Sequence, residues 1–272
     1  MIRRVRSLVL AAHLLALVGP VSRIAHAQAA PVLSALRGTW IEDQAKNTFG
    51  SDFDLRFRRS SSQGIEELRG SGPNPLVQSV VFDGKSHPVD GNSGNTIVWS
   101  QPGPSKFQRQ IFVGGTQLLA TRQIALSADG KTMTEEVNRV LADGGHLITT
   151  NRYHRSAGES SGLVGTWVMD ASMSNAPDSA TFSVEGSALH WVNRAGNSWT
   201  ATLDGKQAPQ NGAALIAGGT VSLKAADSRT LEITSYRNGV KNGSTTLAIS
   251  ADGSTIRLTS SDGSTTVYTK KR

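Results

Sequence analysis

The chain has 272 residues, 28 Lys plus Arg against 21 Asp plus Glu, no cysteine and an apolar fraction of 38%. That composition is of a folded chain, long enough for one large or two ordinary domains, and it excludes wholesale disorder. Zero cysteines exclude a disulfide scaffold, thiolate catalysis and cysteine-bound zinc.

The first segment is an address. Arg3, Arg4 and Arg6 precede an apolar run over residues 8–18, and Ala25-His26-Ala27 follows as a small-x-small site. A basic start, a short apolar middle and such an end predict a secretory signal peptide over residues 1–27, cleaved after Ala27. The expected location is the periplasm or the exterior. The run is too short for a membrane span, which needs about 20 residues. No later stretch reaches that length, so no transmembrane segment is expected in the mature chain. Cleavage removes Arg3, Arg4, Arg6 and Arg23 and no acid, so 24 basic residues face 21 acidic ones. The +7 of the full chain falls to +3, and a nucleic-acid partner is not expected.

Residues 29–36 allow a helical turn or two. Beyond them, period-2 alternation predicts strands at roughly 38–42, 53–58, 63–68, 77–82, 95–99, 107–113, 117–127, 131–140 and 146–153. In the strand over 53–58, Phe53, Leu55 and Phe57 alternate with Asp54, Arg56 and Arg58. Asp-Gly and Asn-Gly pairs at Asp83, Asp90, Asp129, Asp143, Asp204, Asn211, Asn238, Asn242, Asp252 and Asp262 punctuate the chain, as tight hairpin turns require. A Gly/Ser-rich stretch, 155–162, has the composition of a linker. The same rhythm then starts again.

The restart is literal. Leu36, Gly38-Thr39-Trp40 and Asp43 recur as Leu163, Gly165-Thr166-Trp167 and Asp170. Asp83-Gly84-Lys85 with Pro88 recurs as Asp204-Gly205-Lys206 with Pro209, and Ser127-Ala128-Asp129-Gly130 as Ser250-Ala251-Asp252-Gly253. Matches in one order at near-constant spacing predict a tandem duplication, with copies over 35–154 and 163–272. The expected fold is all-β: two tandem antiparallel barrel-like repeats, since closure removes exposed sheet edges. One larger double-sheet domain is the alternative.

The Gly-Thr-Trp start resembles the Gly-x-Trp signature of lipocalins and their calycin relatives. With Asp43, Ala45-Lys46-Asn47, the Asp-Gly-Lys turn and the Ser127–Thr132 hairpin, the chain resembles exported bacterial lipocalin-like repeat proteins. The resemblance implies a barrel-type module with Gly38, Trp40, Gly165 and Trp167 as its structural signature. It also implies a basic partner for each signature Trp, Arg152 in the first copy and Lys270, Lys271 or Arg272 in the second. Repeat 2 departs from the pattern at Met173 and Ser254, which stand where Lys46 and Lys131 do in repeat 1.

Trp99, Trp191 and Trp199 are the candidate walls of a ligand pocket. Gly158-Glu159-Ser160-Ser161-Gly162 spells a nucleophile elbow, but in a linker context that lacks the strand and helix this chemistry needs. His87, His146, His154 and His190 are dispersed, and no metal site or cofactor is expected. Arg56, Arg58 and Arg59 read as a solvated strand face. Glu66-Glu67 and Glu135-Glu136 lack counterparts in the second copy. The expected function is non-enzymatic binding of a small apolar molecule or a cell-envelope partner. A carboxylate-dependent hydrolase or isomerase using Glu42, Asp43, Glu135 and His146, or a structural or adhesive repeat protein, are the alternatives.

Overall fold

The computed structural model describes residues 31–60, 64–69, 75–89, 94–141, 143–212 and 218–272. The leader over 1–27 and the Asp90-Gly91 turn lie outside the described residues.

The fold is all-β, built as two antiparallel sheets. One is a closed barrel of β1 (Gly38–Glu42), β12 (Ser179–Glu185), β13 (Ala188–Asn193), β14 (Ser198–Thr202), β15 (Ala208–Asn211), β16 (Gly219–Ala225), β17 (Thr230–Arg237), β18 (Val240–Ile249), β19 (Thr255–Ser260) and β20 (Thr265–Lys270). The other is a curled, open sheet of β2 (Leu55–Arg59), β3 (Ile65–Arg69), β4 (Leu76–Val80), β5 (Ser86–Pro88), β6 (Asn95–Gly103), β7 (Lys106–Val113), β8 (Gln117–Leu126), β9 (Thr132–Val140), β10 (His146–Gly158) and β11 (Gly165–Ser174). Its order is β4-β3-β2-β11-β10-β9-β8-β7-β6-β5.

The two Gly-Thr-Trp strands are exchanged. β1, first in the chain, closes the barrel between β12 and β20, whereas β11 lies between β2 and β10 of the curled sheet. The two docking sites are alike. Trp40 is buried with its Nε1 donating to the Leu36 carbonyl at 2.8 Å, and Lys270 Nζ lies 5.0 Å from its ring centre. Trp167 is equally buried, donates to the Leu163 carbonyl at 2.9 Å, and carries the Arg155 guanidinium 4.0 Å over its ring. Instead of Arg152 on Trp40 and a C-terminal basic residue on Trp167, Lys270 is the cation on Trp40 and Arg155, not Arg152, the cation on Trp167. Successive strand residues point to opposite faces, and Arg152 is one step out of phase with the ring.

The 155–162 stretch is not a free linker. β10 runs on through Gly158 and pairs Gly158 with Gly165, while Arg155 donates to the carbonyls of Gly130, Val164 and Gly162. Gly158 has φ 109° and a Cβ there would stand 2.3 Å from Gly165 Cα, so this crossing requires glycine. Residues 31–36 are helical, and Val32, Leu33 and Leu36 bury their side chains in the barrel's core beside Trp40.

Other boundaries move by a residue or two. Ser51–Phe53 forms a 3-10 turn, so Phe53 stands exposed at the entrance to β2 instead of alternating inward with Leu55 and Phe57. Asn242-Gly243 is strand, because the turn ahead of it falls on Asn238-Gly239, both at positive φ. At Asp83, Asp129, Asp204, Asp252 and Asp262 the carboxylate accepts the backbone N–H two residues on, the local bond that makes Asp a turn former.

The edges of the curled sheet, β4 and β5, follow one another in the chain. Gln78 Nε2 reaches the Pro88 carbonyl at 3.5 Å between them, but no ladder joins the two strands. The matching strands of the barrel do pair, Ser198 with Asn211 and Trp199 with Gln210.

Candidate functional sites

Each sheet encloses a chamber. Walking the ladders outward from the two tryptophans puts the chambers in register. Phe57 faces Gly165 as Phe182 faces Gly38, so Glu67 and Gln78 occupy the places of Trp191 and Trp199. From the other side, Arg155 and Lys270 face the two tryptophans. By that register Asn151, Glu135, Arg122 and Arg109 occupy the places of Thr266, Leu258, Thr245 and Ile233. One set is charged. The other is apolar or hydroxylic.

The chamber of the curled sheet has a volume of about 390 Å³. On its floor Glu67, 1% exposed, accepts from Arg69 Nε at 2.7 Å, Arg109 Nη1 at 2.9 Å and Arg122 Nη1 at 2.5 Å. Arg122, also 1% exposed, turns its Nε to Glu135, which accepts in addition from Asn151 Nδ2 at 2.7 Å and the Tyr153 hydroxyl at 2.9 Å. Burial works to raise the Glu67 pKa, but Arg69, Arg122 and Arg109 outweigh it and hold the carboxyl well below the usual range. Burial likewise lowers Arg109 to about 10 and Arg122 to about 9, which leaves both charged at neutral pH. Three arginines thus share two glutamates. Arg69 Nη2, Arg109 Nε, Arg122 Nη2 and Asn151 Oδ1 are buried with no partner. Leu55, Leu76, Ile97, Ile111, Leu119 and Val137 supply apolar wall, Arg139 adds a fourth cation, and Asp52, Asp54 and Phe53 also line the chamber.

The barrel chamber, about 290 Å³, is of opposite character. Trp191 and Trp199 stack across β13 and β14 with centroids 5.7 Å apart and planes 21° from parallel. Phe182, Val221, Ile233, Leu247, Leu258 and Tyr268 supply the apolar wall, and Gln210, Ser235, Thr245, Ser260 and Thr266 add uncharged polar side chains. Asn197 Oδ1, buried and unpartnered, is a polar atom on that wall.

Of the predicted pocket tryptophans, Trp191 and Trp199 share a chamber. Trp99 does not join them. It is buried in the curled sheet's core, edge-on to Phe82, with Arg109 5.6 Å from its ring centre. The proposed acid–base set is not assembled: Asp43 pairs with Lys46, Glu42 with Asn47 and the Asp178 N–H, His146 with Asn138, and Glu135 with Arg122. Arg58 and Arg59 pair with Glu66 and Glu159, so the elbow-like motif carries an ion-paired glutamate. His87, His154 and His190 bond to Asp83, Asp170 and Thr200. Among the described residues no group of three or more His, Asp or Glu is placed to hold a metal, and no helix is long and apolar enough to cross a membrane.

Sequence reasoning noted Glu67 only as half of the unmatched pair Glu66-Glu67 and missed Arg69, Arg109, Arg122 and Asn151. A signal was present. Arg122 lies in phase with Ala120 and Ile124, and Glu135 and Arg139 with Met133 and Val137, charges set among apolar inward residues. No protein-family model matches the chain, and no curated protein matches it.

Proposed function

We propose that this chain is an exported, non-catalytic binding protein, a tandem duplication of a lipocalin-like module, whose barrel holds a small apolar molecule. The observation that carries this reading is the barrel chamber, left open beside a stacked tryptophan pair where side chains of ordinary size would fill a core. Its volume is at the lower end for ligand pockets, so the guest is small and flat. Aromatic walls of this kind give large contact area and favour face-on stacking. Supporting the export reading are the leader's arginines and apolar run. Supporting the duplication are the matched motifs and the matched tryptophan contacts.

The test is a titration with neutral 1-aminoanthracene, whose emission rises in an apolar site. Saturable enhancement is expected, and Thr245→Phe, which fills the chamber, should abolish it while thermal unfolding stays cooperative. Absence of saturable enhancement, or enhancement unchanged in Thr245→Phe, would sink the reading.

A further inference from the structure

We propose that the curled sheet is a second, separate site, and that it takes a small carboxylate with an apolar body. At the places of Glu67, Arg109, Arg122 and Glu135 the barrel has Trp191, Ile233, Thr245 and Leu258 and closes as a sheet with more complete pairing. Buried ion networks add little stability over well-packed apolar residues, so neither the fold nor its stability accounts for these charges.

Guanidinium N–H groups cannot lose their protons and donate only. Arg69 and Arg109, each with an unpartnered donor beside Glu67, line a chamber of about 390 Å³, and Arg122 meets the same Glu67 from behind that lining. Buried donors left unpaired are costly, and an acceptor with negative charge meets them best. Arg69, Arg109 and Arg122 outnumber Glu67 and Glu135 by one, and Arg139 with Asp52 and Asp54 brings the charges around the chamber into balance. Asp52 and Asp54 also line the chamber, and burial raises the Asp54 pKa, as expected of a carboxyl with no cation in direct contact. Asn151 Oδ1 adds one buried acceptor. A head group that accepts at the floor and an aliphatic body against Leu55, Leu76, Ile97 and Val137 match this lining.

The unpaired seam between β4 and β5 lies next to this floor. Gln78 on β4 is directly opposite Glu67, and its amide reaches across to Pro88. The closed barrel has a ladder at that place.

The test is calorimetric titration of the purified protein with octanoate and with 1-octanol, equal in body and different in head. Octanoate should bind at least tenfold more tightly, because a hydrogen bond to a charged group contributes about that factor. Arg109→Gln should erase the preference and Arg109→Lys restore part of it. Arg69→Gln, at a more exposed position, should weaken octanoate without unfolding the chain if Arg109→Gln fails to fold. Equal affinity for acid and alcohol, no binding of either, or unchanged octanoate affinity in Arg69→Gln would overturn the proposal. Such a failure leaves 1-aminoanthracene uptake by the barrel untouched, so the two readings fall separately.

Discussion

Glu67→Gln should destabilise the protein by about 3–5 kcal/mol at neutral pH, the usual cost of removing one member of a buried ion network. Glu67 is the hub on which Arg69, Arg109 and Arg122 converge, and a neutral amide leaves three guanidinium groups with only Glu135 as counter-charge. The effect should depend on pH with a definite sign. The folded-state pKa of Glu67 is depressed, so its stabilisation is complete above the unfolded value of about 4.3 and is lost as pH falls below it. Urea unfolding of wild type and variant should therefore show a gap that is constant from about pH 6 to 8 and narrows below about pH 4.5. A gap that stayed constant into acid would mean the carboxylate is not held by the arginines.

Trp40→Ala and Trp167→Ala should each cost about 3–5 kcal/mol, as large-to-small changes of a fully buried aromatic do. Both side chains are 0% exposed, and both lose an indole hydrogen bond and a stacked cation with the ring. The location of the damage is the more informative readout. Because the strands are exchanged, Trp40→Ala should loosen the barrel, seen as faster amide exchange in β12–β20. Trp167→Ala should loosen the curled sheet, seen in β2 and β10. The reverse pattern would place each tryptophan in the sheet nearest to it in sequence.

Much of this was legible in the residues. Alternation and Asp-Gly turns carry the all-β fold, because side-chain parity and left-handed turn backbone are local properties. The positions of Trp191 and Trp199 on adjacent strands were legible in part, and their stacking follows once the ladder register is known. The strand exchange was not, because Gly38-Thr39-Trp40 and Gly165-Thr166-Trp167 suit either docking site equally and only chain connectivity decides between them. The charged floor was overlooked for a different reason. An isolated Glu or Arg on a half-buried strand ordinarily faces solvent, and only partners from β3, β7, β8, β9 and β10 make burial of Glu67 and Arg122 tolerable. Those partners are brought together by the curl of the sheet, which no local pattern reports. Comparing the inward residues of the two matched halves position by position exposes the contrast directly.

The exchanged tryptophan strands are the claim on which that comparison and the two chambers depend, and the cysteine-free chain allows a direct test. Thr39 lies opposite Thr181 with their hydroxyls 3.1 Å apart, whereas the equivalent Thr166 lies opposite Arg56. Directly opposed strand residues lie within disulfide reach. Oxidation of Thr39→Cys/Thr181→Cys should give an intramolecular cross-link in near-full yield, and Thr39→Cys/Arg56→Cys should stay reduced. Cross-linking of the second pair and not the first would place β1 beside β2 and contradict the exchange.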